Sequence, residues 1–94
     1  MANKQNEIKI NISPQIQGGV YANNLMITHT REEFVMDFSV ITPPVGTVTA
    51  RVITSPGHMK RIIAALQENV KRYEAQFGMI LQAEEPKGTI GFNA

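Results

Sequence analysis

The chain has 94 residues, with nine basic and eight acidic side chains leaving a net charge of +1 at pH 7, which makes one domain near the size where a single core only just outweighs chain entropy. So small a charge sets up no long-range field that would gather nucleic acid or anionic lipid, and the absence of cysteine excludes disulfides, thiolate nucleophiles and thiolate zinc sites. Apolar content of 43% and charged content of 18% are those of an ordinary globular chain.

The opening MANKQNEIKI has no apolar run leading to small residues, so it is not a secretory signal. No window approaches the roughly 18 apolar residues of a membrane-spanning helix. A cytoplasmic protein is therefore expected, with residues 1–6 disordered.

From Glu7 the pattern changes. Ile8, Ile10 and Ile12 alternate with Lys9, Asn11 and Ser13, the period of a strand with one buried face. Pro14 and Gly18-Gly19 punctuate the connection to a second strand from about Val20 to His29. Thr30 to Glu33 forms a polar hairpin loop. Thr30 and Glu33 have capping-box spacing, but the alternation of Phe34, Met36, Phe38 and Val40 with Val35, Asp37, Ser39 and Ile41 has a period of two and predicts a third strand. Thr42 to Gly46 is a loop, and the β-branched run TVTARVIT, Thr47 to Thr54, is a fourth strand.

Ser55-Pro56 supplies an N-cap with proline at the first helical position, where its missing N–H is no loss. The helix runs to Phe77, and Gly78 is placed to close it in the left-handed conformation. Its apolar stripe is Met59, Ile62, Ile63, Leu66, Val70, Tyr73 and Phe77, the expected core and dimer face. Residues 7–78 thus form a single α+β domain, a four-stranded antiparallel meander with one long C-terminal helix packed on one sheet face. Residues 79–94 are a flexible tail, although Met79-Ile80-Leu81 and Ile90-Gly91-Phe92 could dock locally or on a neighbour.

Pairing through the loops gives the sheet a consistent inside. With His29 opposite Phe34, Ile27 meets Met36 and Leu25 meets Phe38; with Ile41 opposite Thr47, Phe38 meets Ala50, Met36 meets Val52 and Asp37 meets Arg51. Setting Ile12 opposite Tyr21 brings Ile8 to Leu25. One face then holds the three N-terminal isoleucines with Tyr21, Leu25, Ile27, Phe34, Met36, Phe38, Val40, Val48 and Val52. Four strands at about 4.8 Å spacing span about 19 Å, against about 10–12 Å for one helix. One helix cannot cover them, so a second copy of the chain is expected to do so. A tail folded back over the open strands is the alternative.

Little in the sequence carries chemistry. His29 with Glu32 and Glu33 is the one local polar cluster that suggests a metal or acid–base role, and a solvated loop is the better reading because a site needs three or four converging ligands. Asp37 is better read as the partner of Arg51 than as a base. His58 sits in the first helical turn, where the helix dipole disfavours a cation. No nucleophile elbow or phosphate loop occurs. Catalysis, cofactors and metals are not expected. Nucleic-acid binding through Arg51, Lys60, Arg61, Lys71 and Arg72 is the alternative, opposed by Glu68 and Glu74 on the same helix and by the lack of stacking aromatics on the polar sheet face. By elimination the expected role is a homodimeric protein-interaction or adaptor module, with Met26, Ile41, Ile53 and the tail as contact surfaces.

Two segments, GGVYANNLMITHTREEFVMDF from Gly18 and ARVITSPGHMKRIIAALQENVKRYEAQFG ending at Gly78, together resemble the prokaryotic domain-of-unknown-function family 3467, small stand-alone bacterial and archaeal proteins. The resemblance is carried by Tyr21-Ala22-Asn23, Thr28-His29-Thr30, Glu33-Phe34, Asp37-Phe38, Ser55-Pro56, Glu68-Asn69 and Tyr73-Glu74. It leaves out the stretches before Pro14 and after Gly78. It implies a compact domain from Ile8 to Gly78, and because the family looks like one without an assigned activity, it carries no catalytic or ligand role over to any position.

Overall fold

The structure is a computed structural model and describes residues 6–91. In chain order the elements are α1 (Pro14–Gln17), β1 (Asn24–His29), β2 (Phe34–Thr42), β3 (Val45–Thr54) and α2 (Pro56–Phe77). The three strands form one antiparallel sheet in the order β1-β2-β3. The architecture is α+β, with a three-stranded meander and a C-terminal helix, and among the described residues no helix is long and apolar enough to cross a membrane.

The centre of the sheet has the register that the sequence predicts. Leu25 pairs with Phe38 and Ile27 with Met36; across the other seam Met36 pairs with Val52, Asp37 with Arg51 and Phe38 with Ala50. Thr30 closes the β1–β2 turn: its hydroxyl accepts from the amides of Glu32 and Glu33, and its own amide donates to the Glu33 carbonyl at 2.9 Å. The turn needs no helix.

The β2–β3 connection is tighter than the expected five-residue loop. Thr42 pairs with Val45, so only Pro43 and Pro44 bridge the strands, and a bulge between Phe38 and Ser39 takes up the slack. On β3 the extra residue is Thr49, because Phe38 faces Ala50 while Ser39 faces Val48. A bulge reverses the alternation beyond it. Ile41 therefore meets Gly46 rather than Thr47, and Val48 turns to the face of Ser39 instead of joining Phe38.

The predicted first strand is not formed. Among the described residues, 7–12 pair with no strand, and Ile8 and Ile10 are 87% and 90% exposed. The alternation that predicted a strand specifies a two-faced segment, not the chain that pairs with it. Between this arm and β1 the sequence prefers local structure. Ser13 caps α1, with Pro14 at its first position, and the strand predicted from Val20 begins only at Asn24.

Helix α2 has the predicted bounds. The Ser55 hydroxyl accepts from the His58 amide at 3.3 Å, and Gly78 donates its amide to the Glu74 carbonyl at 2.9 Å, at φ 95° and ψ 173°, an extended positive-φ conformation open to glycine rather than the left-handed one expected. The expectation that it packs along a sheet face is not met. Met59 in the first turn is buried and Ile62 half-buried, but Ile63, Leu66, Val70, Tyr73 and Phe77 are all exposed, Leu66 by 61%.

The molecule is consequently open. Its radius of gyration is 17.0 Å, against about 12 Å for a compact domain of this length. Its accessible surface is 8964 Å², against about 5,400 Å² for a compact monomer of its mass.

Candidate interaction surface

The two faces of the sheet differ in an unexpected way. The face carrying Leu25, Ile27, Phe34, Met36, Phe38 and Val52 is the apolar one by pattern, yet Met36 is its one buried hydrophobic residue, and Leu25, Ile27 and Val52 are exposed. The reverse face holds the buried polar groups, Asp37 at 4% exposure and Ser39 at 2%.

Burial of those groups is matched by partners. Arg51 spans Asp37 with a two-pronged pair, Nε to Oδ1 at 2.6 Å and a terminal nitrogen to Oδ2 at 2.9 Å. The Arg51 hydrogen bond holds the Asp37 carboxyl below the usual carboxylate value, and the carboxylate in turn raises the guanidinium. Asn24 reaches the Ser39 hydroxyl at 3.4 Å. Among the described residues no buried side-chain nitrogen or oxygen lacks a partner. This is a closed structural network rather than a base awaiting a proton.

Two further residues organise the sheet end and escaped the sequence reading. Asn23 clamps β2: its amide nitrogen donates to the Ile41 carbonyl at 2.9 Å, and its side-chain oxygen accepts from the Ile41 amide at 2.8 Å. A side-chain amide thus continues the ladder where β1 has not yet begun. At the bulge, the Thr49 hydroxyl lies 3.1 Å from the Tyr21 carbonyl and 3.2 Å from the Phe38 carbonyl. The single available clue was an asparagine just upstream of a strand, a residue able to donate and accept in one plane.

Of the predicted polar cluster, His29 stacks on Phe34 with ring centroids 5.4 Å apart, while Glu32 and Glu33 lie exposed in the turn. Among the described residues no group of three or more metal-ligating side chains converges. The five candidate nucleic-acid cations divide between β3 and α2. Arg51 is engaged with Asp37, Arg72 pairs with Glu68 at 3.2 Å, and Lys60, Arg61, Lys71 and Arg72 occupy the helix side opposite the apolar stripe. Alternating charges there make a solvated face.

The stripe itself is continuous. At 100° per residue Met59, Ile62, Ile63, Leu66, Val70, Tyr73 and Phe77 fall within an arc of about 100°, running about 27 Å along α2. Tyr73 and Phe77 pack on each other with centroids 5.0 Å apart.

On the reverse face Met26, Ser39 and Val48 line a cleft of about 440 Å³ with Ile90 and Gly91 of the tail. Residues 86–91 also line a second cleft, of about 380 Å³, with Pro43 to Gly46. The tail therefore reaches the hairpin and leaves the apolar face open. Ile80 donates its amide to the Glu74 carboxylate at 2.9 Å, whereas Met79 and Leu81 are exposed. The expected docking residue Phe92 and the expected disorder of residues 1–5 lie outside the described residues.

No curated protein and no solved structure matches the chain. A family model, Protein of unknown function (DUF3467), matches residues 1–82, so the match takes in the N-terminal arm that the resemblance left out. With all five helices and strands inside that match, the chain belongs to the DUF3467 family.

Proposed function

We propose that this protein is a non-catalytic homodimeric interaction module of the cytoplasm, an adaptor whose core is completed by a second copy. The observation behind this is that one chain carries both halves of a core and leaves both uncovered. The sheet exposes Leu25, Ile27 and Val52, and α2 exposes Ile63, Leu66, Val70, Tyr73 and Phe77. Each large side chain left in water forgoes about 1.5–3 kcal/mol, a heavy loss for a domain whose whole stability is about 5–15 kcal/mol.

A helix-to-helix dimer would leave the sheet faces wet, and a sheet-to-sheet dimer would leave the stripes wet. Laying each helix against the other copy's sheet satisfies both through one self-complementary, two-fold interface. The surface excess of about 3,500 Å² per chain over a compact monomer is ample for obligate interfaces, which bury about 2,000–5,000 Å² in total.

Light scattering on the eluting size-exclusion peak tests this. The expected mass is twice the chain's 10.4 kDa, and a single-chain mass at tens of micromolar would overturn the dimer. The adaptor role would use the reverse-face cleft with Ile90, so removing residues 79–94 is expected to release bound partners while the dimer persists. Nucleic acid is not the proposed partner, since Arg51 and Arg72 already have carboxylate partners. Duplex or single strands should show no mobility shift at low salt.

A further inference from the structure

We propose that residues 7–12 add as a strand to the outer edge of β1 in a second copy of the chain, each protomer lending its arm to the other. This rests on the dimer proposed above and names an element that the helix–sheet contact does not include.

The arm is built as a strand and has nothing to pair with at home. As a strand it would set Ile8, Ile10 and Ile12 on one side and Lys9 and Asn11 on the other. Its isoleucines are exposed, and among the described residues none of its backbone groups makes a hydrogen bond to the rest of the chain. Joining a sheet would pair this backbone and take its isoleucines out of water.

Its own β1 edge is not where the chain leads it. Gly19 at φ 76° follows α1, and the Tyr21 carbonyl then sits by Thr49 on β3, whereas Asn23, two residues on, clamps Ile41 of β2. The chain entering β1 therefore comes across β2 from the β3 side. This is the geometry of an exchanged element, in which a pairing that the sequence encodes is formed between protomers.

The β1 edge suits the arm better than the β3 edge. β1 has six residues, NLMITH, with no Lys, Arg, Asp, Glu or Pro to block pairing, and its outer side has no backbone partner among the described residues. A bare edge of that kind is one that native proteins cover. β3 by contrast carries the Thr49 bulge and Arg51, and its own chain already passes at Tyr21. The six residues of the arm match the six of β1, and its isoleucines would extend the apolar face beside Leu25 and Ile27. The family match begins at residue 1, so the arm lies within the family's shared sequence.

Residue-resolved hydrogen exchange on the full chain, with its Ile10→Pro variant and light scattering alongside, tests the exchange. Proline removes a ladder donor, and position 10 touches nothing in its own chain whose loss would unfold it. Expected are a dimer in which the outward-facing β1 amides are protected at least about a hundredfold, loss of that protection in Ile10→Pro, and a dimer at least tenfold weaker. A dimer whose outward β1 amides exchange as freely as in a peptide would overturn the arm exchange and leave the dimer standing. Protection that persists in a monomer would mean that the arm closes on its own strand, and would also overturn it. A monomer without that protection would remove both proposals.

Discussion

Asn23 shows how much of this sheet depends on single side chains. Replacing it by Asp keeps the shape, removes the donor to the Ile41 carbonyl and sets a charge beside it. Asn23→Asp should cost about 1–2 kcal/mol in urea unfolding, with the loss confined to the hairpin end. The Asp37–Arg51 pair carries a pH signature. Asp37 titrates below its ordinary 3.8 in the folded state, so its contribution to stability is present above that value and is lost as pH falls through the lowered one. Asp37→Asn should lower the melting temperature at pH 7 and flatten the acid limb of a melting-temperature profile; an unchanged limb would count against the pair. This pair was legible in the sequence because register alone sets Asp37 opposite Arg51. Asn23 and Thr49 were not, since each bonds to backbone groups whose positions follow from a turn and a bulge that pattern does not specify.

At the scale of elements, helix α2 was readable at both ends because its caps are local: Ser55 and Pro56 start it, and Gly78 ends it at a positive φ. Gly78→Ala should cost about 1–3 kcal/mol by forcing a side chain into that conformation, measurable by thermal unfolding. Leu66→Asp should weaken self-association at least about tenfold if the stripe is an interface, as read by sedimentation equilibrium, because Leu66 is exposed in its own chain. The strands of the hairpin were legible for the same local reason. The N-terminal strand was misread because three alternating isoleucines state that a partner is needed and are silent on whose.

For the whole molecule, coverage was the right question and the helix's position the wrong answer. Widths alone said that one helix could not roof the sheet; in the structure it roofs almost none of it, and the 56 × 37 × 32 Å extents follow. Nothing in a hydrophobic stripe encodes whether it folds back or reaches out, because both satisfy the same periodicity. A 22-residue helix standing clear of its own sheet also has mostly its own backbone bonds for support, and lone helices in water are only marginally stable. Its ellipticity at 222 nm should therefore decline on dilution through the nanomolar range, which would turn helical content into a gauge of how many copies are at hand.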